Sequence, residues 1–187
     1  MTEKSLKKNN DRANTKGILK TVGVYAALAI VVIVVFNYVF MLIRIPTENR
    51  EMENTLAAGD IVISTRYDKT DIDRYDIMIF VSPDGDPDYL IRRVIGLPGE
   101  TVVVDEGKVY ADGVELDQSF IPERQTTMGD GTYEVPEGCY FMLGDDRNHS
   151  LDSRFWENTY VPAENMVAKA RIIFFPFTRF GSIGYGK

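Results

Sequence analysis

The stretch VPEGCYFMLGDDRNHSLDSRFW, Val135 to Trp156, sets the reading of the whole chain. Pro136 and Gly138 mark a turn, and the apolar run Cys139–Leu143 that follows has the length of a buried strand. The chain then enters a second turn at Gly144–Asn148, dense in aspartate and asparagine. Working outward, DIVISTRY, DIMIFVS, DYLIRRVIG, ETVVVDEG, KVYADGVEL and AKARIIFFPF are further short strands. Turn signals separate them: AAGD, SPDGDPD, GLPGE, ADG and MGDG. VDEGKVYADGVEL reads as a hairpin. No long amphipathic helical pattern interrupts residues 44–187, so this part is expected to be mostly β, in antiparallel sheets large enough to bury a core.

The segment before it follows a different pattern. No residue from Thr21 to Ile43 is charged, and VGVYAALAIVVIVVFNYVFMLI is long enough, at about 1.5 Å per residue, to cross a hydrocarbon layer of about 30 Å. Tyr25 and Tyr38 stand toward its two ends, where aromatic rings suit the interface. A cleaved secretory signal would have a shorter apolar core and small residues at a cleavage site. The sequence that follows here is IRIPTENRE, so the run reads as a permanent single-pass anchor. Asn37 within it reads as a polar residue tolerated near the interface. The expected organisation is a polar, flexible tail over 1–16, a transmembrane anchor over 17–43 and an outer β domain over 44–187.

Charge is distributed unevenly. Before residue 21, six basic residues stand against Glu3 and Asp11, a balance of +4, which leaves −11 for the remainder of a chain with formal charge −7. The basic side of an anchor stays inside, so the N-terminus is expected in the cytoplasm and the β domain outside the cell membrane. An acidic main body lacks the positive footprint that nucleic acid requires. Cys139 is the single cysteine, which excludes an internal disulfide, and it reads as a small buried apolar residue.

Four stretches in order resemble the type I signal peptidase family, in its Gram-positive form. IPTENREMENTLAAGDIVIS (45–64) resembles the family's Pro-Ser/Thr-Gly-Ser-Met-Glu-Pro/Asn-Thr-Leu followed by Gly-Asp. DYLIRRVIGLPGETV (88–102) resembles Lys-Arg-Val-Ile-Gly-Leu-Pro-Gly-Asp/Glu, the opening stretch resembles Gly-Asp-Asn-Arg-Asp-Asn-Ser-x-Asp-Ser-Arg-Tyr/Phe-Trp, and FFPFTRFGSI (174–183) resembles the closing strand. The resemblance implies a coiled antiparallel β-sheet fold behind one transmembrane helix. It also implies a serine endopeptidase that works with a Ser–Lys dyad, without metal or cofactor. Its substrates, secretory precursors, would lie as an added strand beside a sheet edge.

The chain departs from that pattern at both dyad positions. Anchored on MENTL, the nucleophile position falls on Glu51; anchored on IPT, it falls on Asn49; neither has a hydroxyl, and the loop is two residues longer than the family's. The lysine position falls on Arg92, which stays protonated and cannot serve as a base. By the resemblance, Thr47 matches an oxyanion-assisting position and Ser150 the residue that hydrogen-bonds the lysine. Arg93, Asp152 and Arg154 match a supporting charged cluster, and Ser153 another supporting position. His149 reads as a turn residue, since the family's Ser–His variant would need histidine where Arg92 stands. Glu51 with Asp152 is a conceivable water-activating carboxylate pair. If Glu51 takes the nucleophile's place, it is expected to form an ion pair with Arg92. Two functions from different classes follow. One is a non-catalytic assembly or chaperone factor for secretory or pilin-like precursors; the other is an active signal peptidase with atypical residues. A membrane-tethered structural domain is a third.

Overall fold

The computed structural model describes residues 3–47, 50–66, 71–85, 89–122 and 125–183. The chain forms two compact units, Met1–Val39 and Phe40–Lys187. The first is a single helix, α1, Glu3–Val39, of which Thr15–Val39 is, by length and composition, long and apolar enough to cross a bilayer. Asn37 donates its side-chain N–H to the Ile33 carbonyl at 2.8 Å, so the polar residue of the span is satisfied within its own helix. The sequence reading differs from this unit at both ends. The polar segment expected as a flexible tail is helical from Glu3, and the uncharged run is helical only to Val39. Its last residues, Phe40–Ile43, belong to a strand, because their backbone pairs with the sheet and their β-branched and aromatic side chains suit a pleated surface.

The second unit contains β1 (Phe40–Arg44), β2 (Ile61–Arg66), β3 (Ile77–Val81), β4 (Tyr89–Gly96), β5 (Thr101–Asp105), β6 (Lys108–Ala111), β7 (Val114–Glu115), β8 (Gly131–Glu134), β9 (Cys139–Leu143), β10 (Val161–Pro162), β11 (Met166–Phe175) and β12 (Gly181–Ser182). One sheet runs in the order β1-β2-β11-β3-β4-β9-β10, with β12 also against β11; the other runs β7-β6-β5-β8. Every pairing is antiparallel. The expected strands are all present, and the hairpin is β5–β6 closed by Asp105↔Lys108. β8, β10 and β12 went unread because they are two to four residues long, too short for alternation to show.

The larger sheet is apolar on both faces. Ile45, Met52, Leu56, Val62, Ile79 and Ile91 pack in one cluster; Met78, Phe80, Val94, Met142 and Trp156 pack in another. A third cluster, around Val102, Val104, Val135 and Phe141, fills the contact with the smaller sheet. Gly96 lies where the β4–β9 register shifts, and a Cβ there would sit 2.6 Å from Val102 and 2.9 Å from Phe141. The expected sequence Arg92–Gly96 therefore runs through the middle of the fold, buried from Ile91 onward.

Candidate functional site

The site forms where the loop after β1, the strand β4 and the turn after β9 converge. The loop is fixed at its base by Ile45 N–H to Asp60 O, 2.8 Å, and Gly59 N–H to Ile45 O, 2.9 Å. Met52 and Leu56 insert into the core, which determines where Glu51 must emerge. The turn is fixed against the same loop. Asp146 N–H donates to the Glu51 carbonyl at 2.9 Å, and Asn54 Nδ2 donates to the Asp145 carbonyl at 2.7 Å. Gly144 permits this approach: a Cβ there would lie 2.7 Å from the Glu51 carbonyl oxygen.

Glu51 and Arg92 meet, with Arg92 Nη2 2.5 Å from Glu51 Oε1. The same carboxylate oxygen accepts the Leu151 N–H at 3.1 Å. Arg92 also donates from Nη2 to the Leu151 carbonyl and from Nη1 to the Ile91 carbonyl, each at 2.7 Å. Its guanidinium lies 5.8 Å from the Trp156 ring centroid. Burial pushes the Arg92 guanidinium below its ordinary pKa, opposed by Glu51 and then Asp152. Among the described residues, Arg92 Nε and Ser150 Oγ are buried without a hydrogen-bond partner. Ser150 therefore does not hydrogen-bond residue 92, the contact implied by the resemblance.

The charged cluster is wider than Arg93, Asp152 and Arg154. Arg93 pairs with Asp145, through Nε at 2.8 Å and Nη2 at 2.5 Å, and not with Asp152. Thr55 donates its hydroxyl to the same carboxylate. Asp152 and Arg154 form a bidentate pair at 2.8 Å and 2.8 Å, and Asp152 also accepts the Gly144 N–H at 2.9 Å. Arg147 stands between the two pairs, and burial lowers its pKa to about 10. In the sequence, Asp145 and Arg147 belong to the turn at Gly144–Asn148. Their burial was detectable only as an unusual density of opposite charges in one turn.

The remaining candidates are placed as follows. Ser153 Oγ accepts the Met142 N–H at 2.9 Å and holds the turn to β9. Thr47 is exposed in the turn after Pro46. Asn49 lies outside the described residues. His149 is exposed, with Nδ1 3.1 Å from Asp146. Cys139 is half-buried, and burial followed by Glu164 raises its thiol pKa. Asp152 is fully buried and engaged by Arg154, so Glu51 has no second free carboxylate at Asp152 with which to share a water. Arg50, Glu51, Glu53, Gln125, Asp146 and His149 border a polar cleft of about 750 Å³. No group of three or more His, Cys, Asp or Glu able to hold a metal occurs among the described residues.

Chemically, the pair at 51 and 92 supplies neither a hydroxyl nucleophile nor a neutral base. It is an ion pair that also bonds both backbone groups of Leu151.

Comparison with known proteins identifies the family of the chain. The family model for signal peptidase, peptidase S26, matches residues 18–175. The chain is 35% identical over 178 residues to a signal peptidase I of Leptolyngbya laminosa, covering 89% of this chain and 82% of that protein. It is 28% identical over 206 residues to a signal peptidase I of Streptococcus pneumoniae, covering 89% and 98%. A crystal structure of a signal peptidase I from Enterococcus faecalis matches with 32% identity and a TM-score of 0.44, covering 51% of this chain and 93% of that one. The chain belongs to the signal peptidase family, peptidase S26.

Proposed function

We propose that this chain is a membrane-anchored, non-catalytic member of the family that holds secretory or pilin-like precursors as an assembly or chaperone factor. The observation that supports the reading is the Glu51–Arg92 ion pair, at the positions that the sequence resemblance matches to the family's Ser–Lys dyad. A buried arginine paired with a carboxylate keeps its proton, so this pair does not activate a nucleophile. The fold around it is intact, and an intact fold with a strand edge beside the site can hold an extended segment without cutting it. Thr47, the position matched to oxyanion assistance, has no hydroxyl nucleophile to serve. The basic N-terminal tail supports the part of this reading that puts the N-terminus in the cytoplasm and the β domain outside the cell membrane.

The test is incubation of the purified full chain, in detergent or lipid, with a secretory precursor, scored for cleavage and for binding. Binding without cleavage is the expected result. Cleavage at the small-x-small site that disappears on mutating Thr47, Ser150 or His149 would overturn it. A reporter fused after Lys187 is expected to behave as exported. The second reading, an active peptidase with atypical residues, is favoured by the relatives, which are described as signal peptidase I.

A further inference from the structure

β4 has a strand on each side for only part of its length. β3 pairs with it from Tyr89 to Arg93, whereas β9 pairs with it only from Arg93 onward. Among the described residues, no strand pairs with Tyr89–Arg92 on the β9 side. The direction of the backbone follows from Val94. Its N–H donates to Asp76 O at 2.8 Å and its carbonyl accepts from Tyr75 N–H at 2.8 Å, so Val94 turns toward the β3 side. Backbone groups alternate along an antiparallel strand, so Arg92 and Leu90 also turn toward β3, and Tyr89 and Ile91 turn outward. Outward-facing backbone groups at an unpaired edge are what an extended guest segment adds to.

In this chain one of those groups is already taken. Arg92 Nη1 donates to the Ile91 carbonyl, while Nη2 of the same guanidinium bonds Leu151 O and Glu51. The edge is accordingly open at Tyr89, which is 48% exposed, and shut at Ile91, which is 3% exposed. The closure needs the forked guanidinium, since separate arms reach the two carbonyls; a lysine ammonium is a single point. The closed position is also incompletely satisfied, because Arg92 Nε is buried with no acceptor among the described residues. An unsatisfied buried donor weakens the arrangement that strands it.

We propose that Arg92 gates strand addition at the outer edge of β4: an extended polypeptide segment pairs there only when the guanidinium releases the Ile91 carbonyl. This rests on the reading of the chain as a holder of extended precursor segments. In the closed state a guest cannot bond the Ile91 carbonyl. In the open state the guest's N–H replaces Arg92 Nη1 at Ile91.

The experiment compares the full chain in detergent micelles with Glu51→Gln/Arg92→Met, which removes both charges and keeps an unbranched stem at position 92, and with Glu51→Gln alone. The probe is a fluorescein-labelled synthetic peptide spanning the small-x-small region of a secretory precursor. Its affinity is read by anisotropy, and the backbone carbonyl 13C shift is read at Tyr89 and Ile91. The double variant is expected to bind about tenfold tighter or more than the parent, and its free Ile91 carbonyl resonance to move away from the parent's and to move back when peptide is added. Measurable binding that is equal or weaker in a folded double variant overturns the gate. A moved Ile91 carbonyl resonance with no peptide binding by any chain sustains the release of that carbonyl and overturns the precursor-holding reading. An unmoved resonance with no binding overturns both. If the double variant does not fold, Arg92→Lys is the second variant, and unchanged affinity there overturns the gate.

Discussion

Arg92 and Arg93 are neighbours on β4, are 1% and 2% exposed, and project to opposite faces of the strand. Their surroundings differ in kind. Arg93 grips a fully buried carboxylate with two nitrogens, bonds the Tyr75 carbonyl at 2.9 Å, and lies 4.3 Å from the Phe120 ring centroid. Arg92 meets a carboxylate that is 22% exposed, with one nitrogen, and spends its other contacts on main-chain carbonyls. Two buried arginines in sequence thus divide into one that holds the fold and one that occupies a site. Burial alone does not separate them; the identity and completeness of the partners do.

The comparison is put at greatest risk by removing the fold-holding partner. Arg93→Met strands Asp145 in the core and is expected to cost about 3–5 kcal/mol, read by denaturant unfolding. A loss no larger than that of Arg92→Met would erase the distinction. Arg92→Met leaves a partly solvated Glu51 and is expected to cost about 1–3 kcal/mol. Adding Glu51→Gln should recover part of it, with a coupling of about 1 kcal/mol in the double-mutant cycle, and additive effects would show the pair to be incidental.

Activity sharpens the same contrast. Glu51→Ser/Arg92→Lys restores the residue types of the dyad, but the loop is two residues longer than the family pattern. Precursor cleavage is expected to stay at least about a hundredfold below that of an active relative, because a misplacement of about 1 Å is enough for such a loss. Full restoration would place the whole difference in side-chain identity. The smallest effect concerns Cys139. Its raised thiol pKa leaves less thiolate at pH 8 than a free cysteine has, so alkylation should run several-fold slower, with the rate still climbing above the pH where a free thiol has levelled off.

The strands with strong apolar runs, β2 to β6, β9 and β11, were readable because their burial is written in side-chain type. Glu51 opposite Arg92 was readable as one of two registers, because RVIGLPGE fixes Arg92 while MENTL points to Glu51 and IPT to Asn49. The partner of Arg93 was not. Asp145, Asp146 and Asp152 carry the same carboxylate within one turn, and which one reaches Arg93 is settled by the depth of the turn under the loop at Glu51. The division of Phe40–Ile43 from the anchor was also hidden, since a lipid-facing helix and a sheet strand both ask for apolar, β-branched and aromatic residues.

The bonds that stitch the loop at Glu51–Thr55 to the turn at Asp145–Leu151 join residues 90, 91 and 100 positions apart. Contacts at such separation form late, because the chain between them must be ordered before they stabilise anything. Arg92 and Arg93 are made 59 and 52 residues before Leu151 and Asp145, the residues they bond in the turn. Until Asp145 has emerged, Arg93 is a charge at a core position with its partner missing, whereas the carboxylate that Arg92 meets, Glu51, is already made. A nascent chain that stops short of the turn therefore holds Glu51 and Arg92 without the Leu151 backbone that both of them bond, and the assembled site is itself a report that the sheet has closed.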